Sequence, residues 1–231
     1  MDIIDWPSPN HGPRRGRDAP DMVVLHYTAM ETPRAALDRL CDPVPEVSAH
    51  YLIAETGAVY ALVPEARRAW HAGAGAWGAC ADVNSASVGI ELANTGAHPF
   101  PEPQMAALET LLGGICARWN IPAERVIGHS DMAPARKSDP GPRFDWARLA
   151  RAGLAVWPDV GGDAGEGDMQ AFLAAAGAFG YPVEGEAPEA VLTAFRMRFR
   201  PWAEGPLDPV DVAMARDLAD RFPVDHRSTR A

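Results

Sequence analysis

The sequence predicts an α/β domain whose sheet is covered on both faces, followed by a small helical module. Three observations support this fold class. Residues 22–27 form a continuous apolar run without the alternation of a half-exposed strand, as is typical of a strand buried on both faces, and residues 87–94 return to buried strand character. Residues 103–119 carry apolar side chains at helical spacing. The composition then changes at residues 159–167, an acidic, glycine-rich stretch that predicts a linker.

The composition limits the classes of function. The 231 residues are 47% apolar and 23% charged, which is enough to bury one full core and a second small one. A formal net charge of −10 argues against nucleic acid or an anionic membrane as a partner, because both require clustered lysine and arginine. Three widely spaced cysteines predict reduced thiols rather than a disulfide framework: Cys41, Cys80 and Cys116.

The sequence also predicts where the protein is located. No apolar stretch reaches the length of about 18 residues that a membrane-spanning helix needs. The first residues lack the apolar run of an export signal. The chain as written is therefore expected to be cytoplasmic, and a periplasmic or outer-membrane location is the alternative if a leader has been removed.

The first elements in chain order are an arm, a strand, a helix and a hairpin. Residues 1–21 are rich in Pro, Gly and Arg and predict an extended arm on the surface. The buried strand 22–27 follows. Thr32 and Pro33 predict a helix start, as N-cap and first helical residue. Two strand patterns within residues 48–63 then predict a hairpin that turns at Gly57.

A loop, a strand and a long helix follow. Residues 67–84 combine glycines with Trp70 and Trp77, flat rings on which sugars stack; a surface loop with a pinned aromatic is the alternative. The strand 87–94 has one charge in its middle, Glu91, and a carboxylate is rarely buried unless it is paired or functional. Glu91 is therefore a candidate functional residue, and the helix 103–119 comes next.

The C-terminal part predicts three short helices. After a strand that ends before His129 and a helix at residues 145–154, the linker leads to helical patterns at residues 169–179, 188–199 and 209–222. We therefore predict two domains, residues 1–158 and residues 168–225. The second of these is called the C-terminal module below.

The segment 126–146 carries the strongest chemical signal. It places His129, Lys137 and Asp139 within eleven residues, and His26 at the end of the first strand supplies a third candidate metal ligand. Two imidazoles and a carboxylate suit a catalytic zinc, which usually leaves a fourth position open. Glu91 would then transfer protons and Lys137 would stabilise an oxyanion, as in a hydrolase. Histidines that end strands are common, so spacing alone leaves a structural role for His26 open.

The motifs at these positions resemble a known family. They are VVLHYTA at 23–29, VSAHYLI at 47–53, AWHAG at 69–73, NSASVGIEL at 84–92 and IGHSDMAPARKSDPG at 127–141. In this order they are similar to the zinc-dependent N-acetylmuramoyl-L-alanine amidases of the AmpD and AmiD type, whose fold also occurs in phage amidases and peptidoglycan recognition proteins. The resemblance covers roughly residues 5–155 and implies a mixed central β-sheet flanked by helices.

The resemblance also implies a site and a substrate. It places one zinc ion per chain on His26, His129 and Asp139, with Glu91 and Lys137 as catalytic residues. The substrate would be the amide between N-acetylmuramic acid and L-alanine of the stem peptide, in peptidoglycan fragments or glycan strands. The family lines its groove at five further positions, which we predict to bind substrate: Tyr27, Arg67, Trp70, His71 and Asn84.

The C-terminal module is similar to the three-helix peptidoglycan-binding domain found behind AmiD-type enzymes, through GYPV at 180–183 and AFRMRFRP at 194–201. AmiD-type enzymes are exported lipoproteins, whereas AmpD-type enzymes are cytoplasmic, lack the module and act on 1,6-anhydro muropeptides. This chain combines the first layout with the second group's missing leader. A non-catalytic muropeptide-binding protein is the rival, and loss of Asp139 or Glu91 would mark it; both residues are present.

Overall fold

The computed structural model describes residues 2–159 and 167–225. Eight short strands lie in the first part: β1 Ile3–Asp5, β2 His11–Pro13, β3 Met22–Tyr27, β4 Tyr51–Ile53, β5 Val59–Ala61, β6 Arg67–Ala69, β7 Ser87–Leu92 and β8 Val126–Gly128. Six of them form a central sheet in the order β1-β5-β4-β7-β3-β8, and β2 pairs with β6 in a separate two-stranded sheet. The predicted mixed central sheet is confirmed.

Helices flank this sheet. They are α1 Pro33–Cys41, α2 Val83–Ala86, α3 Glu102–Trp119, α4 His129–Met132, α5 Trp146–Arg151, α6 Met169–Phe179, α7 Pro188–Phe199 and α8 Pro209–Arg221. The Thr32 side chain accepts a hydrogen bond from the backbone N–H of Ala35, which confirms the predicted N-cap of α1. Asn120 adopts a left-handed conformation that ends α3.

Strand direction determines where side chains meet. β4, β7, β3 and β8 run parallel to one another, whereas β5 is antiparallel to β4 and forms the predicted hairpin. Gly57 turns this hairpin with φ of 86°, and a Cβ at this position would approach the Pro103 carbonyl oxygen to 2.7 Å. The carboxyl ends of β3, β7 and β8 consequently meet at one edge of the sheet.

Three segments differ from the sequence-based expectation. The predicted N-terminal arm contains β1, which extends the central sheet, and β2. The predicted loop 67–84 begins with β6 and leads into α2, and His129 opens a short helix instead of a loop. All these elements are only three or four residues long and depend on distant partners, so they leave no periodic pattern in the sequence.

Each face of the sheet has its own hydrophobic cluster. Val23 and Leu25 pack in the cluster that α3 shares, with Leu108, Leu112 and Ile115. Met22 and Val24, which alternate with them along β3, belong to a cluster with aromatic side chains of the C-terminal module: Phe172, Phe179, Phe195 and Phe199. The three helices of the C-terminal module therefore cover one face of the central sheet rather than enclosing a separate core.

The three predicted C-terminal helices are confirmed as α6, α7 and α8, within one residue of the expected bounds. The predicted linker at residues 159–167 lies mostly outside the described residues, and the division into two domains stays a prediction. In residues 2–159 and 167–225, no helix is long and apolar enough to cross a membrane. Cys41, Cys80 and Cys116 are free thiols, as expected.

One buried histidine links the fold to pH. His50 is fully buried; its Nδ1 accepts from the backbone N–H of Gly89 at 2.9 Å, and its Nε2 donates to the Arg67 carbonyl at 3.0 Å. These partners require a neutral imidazole. Burial lowers the pKa of His50 to about 4, opposed by the hydrogen bond to the Arg67 carbonyl.

We expect acid to destabilise the protein through His50. Below the unfolded-state pKa of about 6.5, the unfolded chain gains a proton that the folded chain does not bind until about pH 4, so stability falls as pH falls. The contribution between pH 7.5 and 5 is about 2 kcal/mol. Urea unfolding of the metal-free wild type and His50→Gln at both pH values measures it. Equal losses of unfolding free energy in the two proteins would contradict the assignment.

Candidate metal centre and active site

The parallel strands bring three distant polar residues together. β3 pairs with β7 so that His26 lies opposite Glu91, and β8 pairs with β3 and ends at Gly128, directly before His129. Ligands of α/β sheets bind outside the carboxyl ends of such strands. The sheet therefore collects residues that are separated by more than one hundred positions in sequence.

α4 brings the fourth residue into the same place. His129 is its first residue, and the backbone N–H of Ser130 donates to the carbonyl oxygen of Asp139 at 2.9 Å. This bond folds the segment after α4 back on itself, so that the Asp139 side chain faces His129. His129 and Asp139, which the sequence predicts to act together, are therefore neighbours in the structure.

Three potential ligand atoms converge at this edge. His26 Nδ1 lies 3.0 Å from His129 Nδ1 and 2.9 Å from Asp139 Oδ2, and His129 Nδ1 lies 3.1 Å from the same oxygen. All three residues are buried, and they form a group able to hold a metal ion. Ligands that surround a tetrahedral zinc at about 2.0–2.2 Å are separated by about 3.3 Å, which is close to the observed spacing.

Hydrogen bonds on the far side of His26 determine which of its nitrogens carries the proton. The Ser87 hydroxyl donates to the Val83 carbonyl at 2.6 Å, so it can only accept from His71 Nε2, 3.2 Å away. His71 Nδ1 is then an acceptor, and His26 Nε2 donates to it at 3.0 Å. His26 Nδ1 is left with a free lone pair that faces the ligand group.

The second imidazole has the same arrangement. His129 Nε2 donates to the Ala72 carbonyl at 2.8 Å, which leaves the lone pair of His129 Nδ1 facing that of His26. Two lone pairs and a carboxylate within about 3 Å repel one another unless a cation lies between them. The donor set therefore fits a divalent ion such as zinc, held by three protein ligands with one position open.

Charges within the ligand group support this arrangement. Burial opposes ionisation of Asp139, but the neighbouring imidazoles of His129 and His26 outweigh it and keep the pKa of the carboxyl below its usual range. Burial, together with the neighbouring His129, lowers the pKa of His26 to about 4, while Asp139 opposes the shift. An ionised carboxylate and a neutral imidazole are the protonation states that bind a metal.

Glu91 lies beside the ligand group and is not itself a ligand. Its Oε2 is buried and has no hydrogen-bond partner among the described residues. Burial raises the pKa of Glu91 to about 8, the charge of Asp139 adds to the shift, and Lys137 opposes it. A carboxyl group with such a pKa can both accept and release a proton near neutral pH.

A cavity of about 430 Å³ opens over these groups. The ligand residues, Glu91 and Lys137 line it, as do three of the five residues predicted to bind substrate: Tyr27, Trp70 and His71. The wall formed by α1 adds Arg39 and Leu40, which the sequence did not single out. Nothing in the local sequence pattern distinguishes Arg39 or Leu40, so only the placement of α1 reveals this wall.

The other two predicted substrate-binding residues lie outside the cavity. Arg67 belongs to β6, and its Nε donates to His11 Nδ1 at 3.3 Å. Asn84 is only 7% exposed, and its Oδ1 accepts from the backbone N–H groups of His71 and Ala72, both at 2.9 Å. Asn84 fixes the loop that carries His71 and the Ala72 carbonyl. Substrate binding by Arg67 and Asn84 stays a prediction.

A family model described as N-acetylmuramoyl-L-alanine amidase matches residues 16–142, which is more than half of the chain. The chain belongs to this amidase family. It is 35% identical to the N-acetylmuramoyl-L-alanine amidase AmiD of Escherichia coli K12, over 88% of this chain and 84% of the relative. It is 33% identical to the 1,6-anhydro-N-acetylmuramyl-L-alanine amidase AmpD of Enterobacter cloacae, over 64% and 89%.

Solved structures of the family agree with this assignment. E. coli AmiD, in complex with the substrate anhydro-N-acetylmuramic acid-L-Ala-D-gamma-Glu-L-Lys, superposes with a TM-score of 0.81 at 34% identity, covering 90% of this chain and 93% of AmiD. AmpDH3 of Pseudomonas aeruginosa, in complex with an anhydromuramic pentapeptide, gives 0.80 at 31% identity, covering 90% and 94%. Because residues 1–159 alone are too few for this coverage, the likeness to both amidases extends into the C-terminal module.

These findings confirm the predicted enzyme class. The chain is an amidase that acts on the N-acetylmuramoyl-L-alanine linkage of peptidoglycan, and the fold predicted from the resemblance is the one observed. His26, His129 and Asp139 meet in space as the sequence indicated. The assignment of zinc to them, and of catalytic roles to Glu91 and Lys137, remains to be tested.

Proposed function

We propose that this amidase uses one zinc ion per chain to hydrolyse the amide between N-acetylmuramic acid, or its 1,6-anhydro form, and L-alanine of the stem peptide. One observation carries the proposal: the lone pairs of His26 Nδ1 and His129 Nδ1 and the Asp139 carboxylate face a common point beside Glu91. The muropeptides bound to AmiD and AmpDH3 support the choice of substrate.

His26, His129 and Asp139 would hold the ion at the floor of the cavity. Zinc, when bound, supplies a Lewis acid that polarises the scissile carbonyl and lowers the pKa of a water. Glu91 accepts the proton of the attacking water and passes it to the leaving nitrogen of L-alanine, so one carboxyl group serves both steps. Its Oε2 has no hydrogen-bond partner in residues 2–159 and 167–225 and is available for this transfer.

Lys137 is suited to stabilise the oxyanion that forms on the scissile carbonyl. It lines the cavity two residues before Asp139. It is also the only lysine in a chain with 21 lysine and arginine residues in total, so every other cationic side chain is an arginine. An ammonium is a compact charge that can approach one oxygen, whereas a guanidinium is a planar fork. The composition therefore suggests that this position needs an ammonium.

We expect Lys137→Met to lower kcat by about 10²- to 10³-fold, the range for loss of one oxyanion donor. Zinc affinity should stay unchanged, because Lys137 is not in the ligand group. Lys137→Arg keeps the charge, and we expect it to recover only part of the rate. Steady-state kinetics with zinc content measured on the same samples provides the check. A wild-type kcat in Lys137→Met would exclude the proposed role.

The substrate is tested by mass spectrometry of three reactions. Wild-type enzyme is incubated with a 1,6-anhydro muropeptide, an ordinary N-acetylmuramoyl peptide and intact peptidoglycan, and chelated enzyme is the control. We expect the zinc-loaded enzyme to release intact stem peptide and the chelated enzyme to release none. The ratio of the first two rates distinguishes a recycling enzyme from a broad one. Binding of muropeptide without release by zinc-loaded enzyme would refute zinc-dependent hydrolysis.

We also propose that the C-terminal module, residues 168–225, acts as a peptidoglycan-binding-like domain. Its exposed Trp202, 69% accessible, offers a flat apolar face of the kind on which sugars stack. A groove of about 450 Å³ lies between α7 and the segment around Pro206, and Pro142 of the first predicted domain also lines it. Comparison of the rates on intact peptidoglycan and on soluble fragments tests whether this module favours the polymer.

A further inference from the structure

A buried carboxylate, Asp131, connects the C-terminal module to the helix that carries His129. Asp131 is in α4 and is fully buried. Its Oδ1 accepts from the Tyr181 hydroxyl at 2.6 Å, and its Oδ2 accepts from Arg198 Nη1 at 2.7 Å and from the backbone N–H of Gly128 at 2.8 Å. Two of its three partners therefore come from the C-terminal module.

Arg198 is buried, and its guanidinium donates hydrogen bonds from both of its terminal nitrogens. Its side chain is about 1% exposed, and its Nη2 donates to the Val126 carbonyl at 3.1 Å. The guanidinium lies over the Trp146 ring at 4.3 Å and over the Phe199 ring at 4.8 Å. A buried charge is costly unless it is paired and hydrogen-bonded, so this arrangement permits little displacement of either partner.

The connection bears directly on the metal ligands. His129 begins α4, and the backbone N–H of the next residue, Ser130, holds the Asp139 carbonyl at 2.9 Å. A shift of α4 would therefore move two of the three ligands together. The chain before α4 is also closely packed, since a Cβ on Gly128 would lie 2.8 Å from Pro140 Cδ and 3.3 Å from the Trp146 ring.

We infer that Tyr181 and Arg198 are positioning residues for the metal site, acting through Asp131 on His129 and Asp139. The C-terminal module thereby supports the ligand geometry of the amidase as well as covering its sheet. This inference rests on the proposed zinc site. Groups that orient ligands from outside the coordination shell raise metal affinity, and their loss typically costs about 10- to 100-fold.

A second buried ion pair on the same helix provides a matched control. Arg196, two residues before Arg198 on α7, pairs with Asp211 of α8. Both residues are buried, at 7% and 0% exposure, and the hydrogen bonds of Arg196 stay within the C-terminal module. Loss of this pair should destabilise the C-terminal module without displacing α4.

The test measures zinc affinity by competition with a chromophoric chelator, in proteins whose metal-free fold is verified by circular dichroism. Tyr181→Phe removes one hydroxyl, and we expect it to weaken zinc binding toward the lower end of the 10- to 100-fold range, about 10-fold. Arg198→Met is expected to fall toward the upper end, about 100-fold. Arg196→Met should lower the thermal midpoint but leave the zinc dissociation constant unchanged.

Each other outcome is decisive. Wild-type zinc affinity in folded Tyr181→Phe and Arg198→Met would overturn the inference, and so would an equal loss of affinity in Arg196→Met. If Arg198→Met fails to fold, Tyr181→Phe alone decides, because it removes a single oxygen atom. A wild-type protein that binds no zinc would instead refute the proposed function, so the two failures are distinguishable.

Discussion

Replacing Glu91 by glutamine is expected to lower kcat by about 10²- to 10⁴-fold, the contribution typical of a positioned general base and acid. Glutamine has nearly the same shape but cannot accept and return a proton. Because Glu91 Oε2 has no hydrogen-bond partner among the described residues, the change breaks no contact of the fold at that atom. The unfolding free energy and the zinc dissociation constant should therefore remain close to wild type.

A carboxylate outside the cavity provides the control for Glu91. Glu109 of α3 accepts from Arg148 Nε at 2.7 Å, on the α3–α5 side of the molecule. Glu109→Gln should retain the wild-type kcat, whereas Glu91→Gln should not. Single-turnover kinetics with a muropeptide separates the chemical step from binding and product release. A Glu91→Gln enzyme that hydrolyses its substrate at the wild-type rate would assign the proton transfer to another group.

The sequence indicated the functional residues best where a polar side chain lies within a buried strand or at its end. His26 and Glu91 were recognisable because each interrupts a continuous apolar run, and such a run rarely contains an unpaired polar group. That these residues meet follows from parallel pairing, which brings the carboxyl ends of strands to one edge. The short sequence spacing between His129 and Asp139 was also informative, because the chain folds back between them and the two side chains meet.

The sequence was least informative where contacts cross long separations without a periodic signal. His71 was predicted to bind substrate, and it does line the cavity, but it also accepts a hydrogen bond from His26 Nε2. That contact depends on a chain of donors through Ser87, which spacing cannot reveal. Arg198 interrupts the apolar face of α7, yet its partner Asp131 lies 67 residues earlier in the chain. No local pattern links the two.

Asp139 is the residue whose replacement should separate zinc binding from every other property of the site. Asp139→Ala removes the only anionic ligand and leaves two imidazoles, His26 and His129, whose Nδ1 atoms lie 3.0 Å apart. Loss of a direct ligand should exceed the effect of losing a supporting group, so we expect zinc affinity to fall by more than about 100-fold. Activity at limiting zinc should be abolished.

Metal exchange distinguishes the loss of a ligand from a damaged fold. Dialysis against a chelator should inactivate both wild type and Asp38→Ala, a surface control whose carboxylate pairs with Arg34 of the same helix. One equivalent of zinc should restore both enzymes and raise their thermal midpoints, because a ligand that binds only the folded state stabilises it. Asp139→Ala should show neither recovery nor a shift in midpoint. If it bound zinc as tightly as wild type, the carboxylate would not be a ligand, and the convergence of the three side chains would need another cause.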